Sequence, residues 1–570
     1  MPRPKTMSRR AAQTTRKPYQ GPFAQWPDGG SPIWRSRLIA LAALSGVLLA
    51  LAAPSLGVGF VWPFFLVPLF LALDLLVSTT RGRRRWISVL GLTWFPGIIA
   101  GAITGDWVVN TSHVFGGLPL PLAWAVAGLG YGSLIGWELF AGIGIPFALA
   151  HGRPWVQLAL VTLWPTVFQV HSPRFLFWTF GQFMHPVPEL TQAADLVGSA
   201  GLNLWLLPLN WTIFALLRSV RGGAPLPRST LLRLGGGIAV SFALLWAYGH
   251  WRMGDIEARQ AAGARVQLVG IQPNFSLKNI ASNPDRSPSD RRQSLAALVA
   301  DSNNALATGG VVPGIPVAVL WPESVYPAPY FDAVQAQTAV QSWARNLGVH
   351  LILASIDTRG AVRRPGDGRP RVYGAAIHVA PTGGEPMVYH KLTPIPFGET
   401  VPLGDAFPWW RDALLATVRN MSDFQPGKEF TVFEIAPGVK LAPLICFDAT
   451  TDGPALGMAA NGATIGVVLA NLAWFGPTTV SAQFEWYVRY RAIENRIPFL
   501  LLSQNGKSIL IDARGQPASP RLRQFEVGAL SLEVHTGPGG SFFGRHAGWI
   551  HGALAVAMLA ALASFARRPA

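Results

Sequence analysis

Apolar stretches long enough to cross a membrane recur through the first half of this 570-residue chain, and that recurrence constrains the fold more than any other feature. A helix needs roughly 20 apolar residues to cross a hydrocarbon core about 30 Å thick, and inside lipid every backbone polar group must be satisfied within the protein. Such stretches lie near 38–53, 58–77, 86–103, 120–148, 155–170, 197–217 and 234–251, with one more near 549–565. A polytopic α-helical membrane bundle of about eight spans is expected. Half the residues are hydrophobic but 13% are charged, too many for a bundle alone, so a second, water-facing unit must exist.

The net charge of +17 would mark a polyanion-binding face if the basic residues shared one patch with aromatics. They lie instead in the tail (Arg3, Lys5, Arg9, Arg10, Arg16, Lys17, Arg35, Arg37) and in short connections between apolar runs (Arg81, Arg83, Arg84, Arg85; Arg153; Arg218, Arg221, Arg228, Arg233; Arg567, Arg568). The opposite short loops hold essentially Arg174. This bias encodes topology, not nucleic-acid binding. It predicts cytoplasmic termini and, after seven spans, an outward-facing 253–546.

The expected organisation is a basic disordered tail (1–37), a seven-span membrane domain (38–252), a catalytic domain (253–546) and a final span with a short tail (547–570). Arg9 and Arg10 stand too far before the first apolar run for a twin-arginine signal. Within 253–546, β-branched runs alternate with amphipathic stretches, the pattern of a layered α/β domain. Strands are expected at 266–272, 317–321, 351–356, 372–379, 439–446 and 464–469, and helices at 291–307, 331–347 and 481–496. The long segment 399–428, with Trp409 and Trp410, reads as a lid.

Cys446 is the only cysteine, which excludes an internal disulfide and a cysteine-rich metal site. His113, His171, His185 and His390 lack ligand spacing, so no metal or other cofactor is expected. Three segments each put a reactive side chain at a strand end: Leu320-Trp321-Pro322-Glu323-Ser324, then Tyr389-His390-Lys391 running on to Phe397-Gly398-Glu399, then Leu444-Ile445-Cys446-Phe447-Asp448. Taken alone, Cys446 is a buried core thiol and the others a surface acid and base. Together they supply what acyl transfer through a thiol requires: a nucleophile, a base for its proton, and a cation for the developing oxyanion.

These segments, followed by Asn471-Leu472-Ala473-Trp474-Phe475-Gly476, Arg491-Ala492-Ile493-Glu494-Asn495 and Asn505-Gly506, resemble the nitrilase superfamily. Within it, the chain resembles the apolipoprotein N-acyltransferase family over nearly its whole length. The resemblance implies an α-β-β-α sandwich carried by eight spans in the bacterial inner membrane and facing the periplasm. It implies that Glu323 is the general base, Lys391 the stabiliser of the tetrahedral intermediate and Cys446 the nucleophile, with Glu399 a supporting carboxylate. Phe447, Asp448, Trp474 and Phe475 are expected to support the site or bind substrate, and Trp409, Trp410, Trp474 and Phe475 to shield it from water. The expected partners are a phospholipid acyl donor and a diacylglyceryl-modified apolipoprotein acceptor, served by a monomer.

The chain departs from the family pattern where Phe447-Asp448 replaces Tyr-Glu, where Asn279 replaces a tryptophan, and where Leu472 replaces an aspartate. These differences bear on donor and acceptor preference. The alternative readings are a membrane-tethered amidase with the same triad, a paralogue with altered substrates, and a transporter or receptor whose water-facing domain has lost activity. Against the last, the spans hold few ionisable residues, chiefly Asp74, Asp106 and Glu138.

Overall fold

Alternation along the strands sets the layers of the water-facing unit. In the computed structural model, which describes residues 32–171, 178–220, 226–276, 287–326, 328–363, 370–417 and 422–566, twelve strands form two six-stranded sheets. The first contains β1 (Arg265–Gln272), β2 (Val317–Trp321), β3 (His350–Arg363), β4 (Pro370–Val379) and β5 (Met387–His390). The second contains β6 (Phe433–Ala436), β7 (Val439–Ile445), β8 (Ile465–Ala470), β9 (Phe499–Ser503), β10 (Ser508–Ile511) and β11 (Pro517–Leu522), and β12 (Gly528–His535) returns to the first. The orders are β12-β1-β2-β3-β4-β5 and β11-β10-β9-β8-β7-β6. Each sheet has a parallel centre (β1-β2-β3 and β7-β8-β9) flanked by antiparallel strands.

Because side chains alternate across a strand, Leu268, Leu320 and Ile352 face one core while their neighbours Val269, Val319 and Leu351 face another. The first set meets Leu441, Leu444 and Val467 of the second sheet, so it lies between the sheets. The other set packs under the helices Pro288–Gly309 and Val334–Leu347, through Leu298 and Val340. Gly270 marks a close approach of the sheets, since a Cβ there would stand 2.8 Å from Leu502. On the far side of the second sheet, Val480–Asn495 contributes Phe484, Tyr487 and Val488 to a core that runs unbroken into the membrane helices. The layered α-β-β-α unit and the long apolar helices agree with the expected fold class.

The span count differs from expectation. Among the described residues five helices are long and apolar enough to cross a membrane: Arg35–Ala52, Gly82–Thr104, Leu120–Leu149, Arg228–Ala261 and Phe542–Ser564. A sixth appears if Ala194–Gly201 and Asn203–Val220, bent by 56°, act as one span. The helix Val67–Thr79 has only 13 residues, and Pro154–His171 carries Gln157 and Gln169. Gly97 and Gly101 lie against Gly132 and Gly136, where a Cβ on Gly97 would stand 2.2 Å from the Gly136 nitrogen. Small residues four apart let membrane helices approach this closely. Arg228–Ala261 continues past Trp251, about 50 Å in all at 1.5 Å per residue. Of the expected tail 1–37, residues 32–37 belong to the helix Pro32–Ala52, while residues 1–31, with Arg174, Arg221, Asn279, Arg567 and Arg568, lie outside the described residues.

Polar contacts tie Val480–Asn495 to the membrane helices at both ends. At its start, Thr479 donates its backbone N–H and its hydroxyl to Asp106, both at 2.8 Å. At its end, Arg496 sits in the left-handed region (φ 55°) and donates Nε to Asp195 at 3.0 Å. Asp195 also accepts from Tyr248 Oη at 2.7 Å and Arg252 Nε at 2.8 Å. Asp106 and Asp195 are thus clasps between the two units. Asp74 pairs with Arg218 and His151, and Glu138 accepts from Gln169.

Replacing Asp195 with Asn should strip the compensating charge from the buried Arg496 guanidinium, a change that costs about 3–5 kcal/mol for a buried pair. A clearly lowered unfolding midpoint of the detergent-solubilised chain is expected, and an unchanged midpoint would refute the clasp.

Candidate active site

The site forms where the carboxyl ends of strands from both sheets meet. Glu323 follows β2, Lys391 follows β5, Cys446 follows β7 and Asn471 follows β8. Register fixes this convergence: β4 aligns Ala375 with His390, and β7 and β8 align Ile445 with Leu469. The Lys391 backbone N–H then bonds Gly374 at 2.8 Å and carries its side chain inward.

The Lys391 ammonium is 1% exposed and lies 3.1 Å from Glu323 Oε1 and 2.8 Å from Glu399 Oε1. Glu399 is held by its own loop, which closes when the Ile395 N–H donates to Glu399 Oε2 at 2.8 Å. The other oxygen of Glu323 accepts the Asn471 backbone N–H at 3.1 Å. Two carboxylates on one lysine leave an excess negative charge in a nearly dry place, and the groups respond. Burial pushes the Glu323 carboxyl above the usual carboxylate range; Lys391 opposes this and Glu399 adds to it. Burial alone would lower the Lys391 ammonium, but Glu323 and Glu399 hold it well above its ordinary value.

Cys446 is fully buried and adopts φ 45°, a left-handed conformation that costs a non-glycine residue about 1–3 kcal/mol. It begins the single turn Cys446–Thr450, so the chain reverses at the thiol. Burial raises the thiol well above the ordinary range, the charge of Glu323 raises it further, and Lys391 and the Asn471 N–H act in the opposite direction. At neutral pH the sulfur therefore keeps its proton beside a carboxylate of raised basicity.

Asp448 holds the turn. Fully buried, it accepts the Tyr389 hydroxyl at 2.7 Å, the Thr393 N–H at 2.7 Å and the Ile445 N–H at 3.1 Å. It thereby links the cysteine turn to the segment that carries Lys391. Phe447 is buried in the core beside it. Trp474 and Phe475 lie at the junction with the membrane helices. The Trp474 ring meets Phe115 at 4.9 Å and Phe475 meets Trp107 at 5.4 Å, both edge-on. Of the expected lid, Pro408–Thr417 is helical, Trp409 is 71% exposed, and Trp410 donates to the Pro402 carbonyl at 3.2 Å.

Sequence reasoning gave no role to Asn471 or Tyr389. The Asn471 contact runs through a backbone N–H, which leaves no mark on residue type. Tyr389 directly precedes His390-Lys391, and a polar aromatic in a buried strand needs a partner for its hydroxyl; that signal was available. His390 itself bonds Asp357 at 3.0 Å and stacks on Tyr373 at 4.1 Å, a supporting arrangement behind Lys391. Among the described residues no cluster of histidine, cysteine or carboxylate side chains could hold a metal ion.

Comparison with known proteins bears on both halves of the chain. Residues 314–535 match a carbon-nitrogen hydrolase family model, and 45–212 match the apolipoprotein N-acyltransferase N-terminal domain. The apolipoprotein N-acyltransferase of Geobacter metallireducens is 27% identical over 537 residues, covering 91% of this chain and 94% of that protein. That of Azotobacter vinelandii is 28% identical over 544 residues, covering 93% and 95%. A nitrilase-superfamily amidase from Nesterenkonia AN1 aligns with 51% of this chain and 97% of its own at 18% identity, with a TM-score of 0.36.

Replacing Asp448 with Ala would leave three buried donors unmet, each worth about 1–3 kcal/mol. Chemical denaturation of the purified chain should show a loss of roughly 3 kcal/mol or more, and a loss below about 1 kcal/mol would contradict the assigned bracing role.

Proposed function

This chain belongs to the apolipoprotein N-acyltransferase family of the nitrilase superfamily, and we propose that it acylates lipoproteins by a ping-pong reaction through a thioester on Cys446. The observation that carries this reading is the buried Lys391 ammonium clamped by Glu323 and Glu399 beside a protonated, strained thiol.

In the first half-reaction Glu323 takes the thiol proton as the sulfur attacks an ester carbonyl of a membrane phospholipid. Lys391 faces the oxyanion that forms, where a fixed charge in a dry site counts for most. The carbon–oxygen bond then breaks, Glu323 returns the proton to the leaving alkoxide, and a lysophospholipid departs. In the second, the α-amino group of a diacylglyceryl-cysteine at a lipoprotein N-terminus attacks the thioester. Glu323 receives the amine proton and passes it to the departing sulfur, leaving an amide and a restored thiol. Glu399 positions Lys391.

Both substrates are anchored by acyl chains, so chemistry at the membrane surface lets those chains stay in hydrocarbon. The distribution of arginines supports a periplasmic catalytic domain and cytoplasmic termini in a bacterial inner membrane. Trp474 and Phe475, between the catalytic turns and the membrane helices, are suited to excluding water from the thioester. We take the acting species to be a single chain that binds no nucleic acid.

Two experiments test the reading. Reconstituted with phospholipid and a diacylated lipopeptide, the protein should yield N-acylated peptide; free fatty acid without it would establish an amidase-like hydrolase instead. The acylation rate should also rise with pH as Glu323 ionises. Since the charge of Glu399 helps raise the Glu323 pKa, Glu399→Gln should move that rise to lower pH. Glu323→Gln should slow acylation on the order of 100-fold or more. A rise that stays in place, or moves upward, would rule out Glu323 as the base.

A further inference from the structure

Between the catalytic domain and the membrane helices lies a cavity of about 160 Å³ whose lining includes none of Glu323, Lys391, Glu399 or Cys446. Its wall includes Arg491, first residue of the Arg491–Asn495 run, for which the reaction above has no use. The Arg491 side chain is 3% exposed. Its Nη2 pairs with Glu494 Oε2 at 2.8 Å, and Glu494 is fixed in turn by the Ser199 N–H at 2.9 Å. Arg491 Nε and Nη1 meet no acceptor among the described residues. The Thr451 hydroxyl, just beyond the turn that Cys446 begins, lines the same cavity, is buried, and has no partner either.

Buried polar groups in native proteins are nearly always satisfied, and an unmet donor costs about 1–3 kcal/mol, more when charged. The charged Nε and Nη1 and a hydroxyl in one pocket call for an anion rich in oxygen. Glu138 and Asp452 also line the cavity. Their presence disfavours a dianion and leaves a singly charged phosphodiester as the fitting ligand. The space has room for one phosphate group.

We propose that this cavity holds the phosphodiester of a phospholipid, with Arg491 and Thr451 as its donors, and so presents the acyl donor beside the turn that carries the nucleophile. The assignment rests on the acyl-transfer reading above. It makes Arg491 a binding residue: it acts on donor affinity and not on the chemistry at sulfur.

The test uses the full chain in phospholipid-free detergent micelles, with Arg491→Lys, Arg491→Gln and the near-isosteric Thr451→Val, each first shown to be folded by its unfolding midpoint. At fixed lipopeptide, Arg491→Gln should raise the donor KM on the order of tenfold or more, with kcat at saturating donor little changed. Arg491→Lys should recover part of this, and Thr451→Val should show a smaller rise. Phospholipid vesicles should raise the wild-type midpoint more than that of Arg491→Gln, while inorganic phosphate should leave both unmoved. An unchanged donor KM in folded Arg491→Gln and Thr451→Val means that the cavity holds only water and overturns the proposal. Protection by inorganic phosphate alone overturns the lipid assignment. A wild-type protein that transfers no acyl group overturns the function proposed above, and the vesicle arm then still decides the cavity.

Discussion

A single ammonium group, that of Lys391, organises the catalytic end of this molecule. Its two carboxylate partners come from different places, Glu323 from the end of β2 and Glu399 from a loop that closes on itself. A charged lysine at 1% exposure is tolerable only when paired. The pairing therefore fixes the relation between the first sheet and the loop beyond β5. The same cluster sets the state of the thiol. Burial, and then the surplus negative charge, favour a protonated Cys446, while burial and Glu399 raise the basicity of Glu323.

The second sheet delivers Cys446 and Asn471 to the same place, and the membrane helices hold the second sheet. Val480–Asn495 packs on that sheet on one side and is clasped by Asp106 and Asp195 on the other. Carboxylates within or near apolar helices are costly unless satisfied. Asp106 and Asp195 each accept hydrogen bonds from the catalytic domain, so the two units stabilise each other. That junction holds the sheet that carries Cys446 at a fixed position on the apolar helices.

Much of this was legible in the sequence because the signals were local. Spanning length and apolar runs mark the membrane helices, and β-branched runs ending in Glu323 and Cys446 mark the central strands. Half the strands were not so marked. Met387–His390 and Ser508–Ile511 have only four residues, Pro517–Leu522 contains two prolines at a sheet edge, and Phe499–Ser503 is a short apolar run that periodicity cannot assign. Gly528–His535 does alternate between buried and accessible positions, and that pattern could have been read. The bent pair near Leu202 and the 13-residue helix Val67–Thr79 depend on packing, so a count of apolar runs overstated the long helices. At the site, Glu323, Lys391 and Cys446 could be named from their strand-end segments, and Glu399 and Asp448 as supporting residues from the family resemblance. The backbone contribution of Asn471 and the partners of Asp448 could not, because they arise only when two sheets are stacked.

The account stands or falls on the sulfur. Intact-protein mass spectrometry of the full chain after brief exposure to a phospholipid of defined acyl composition, without acceptor, measures it directly. One added acyl group, mapped to Cys446, labile to hydroxylamine and discharged by a diacylated lipopeptide, is the predicted result. A folded, transfer-competent protein that never carries an acyl group on Cys446 would contradict it.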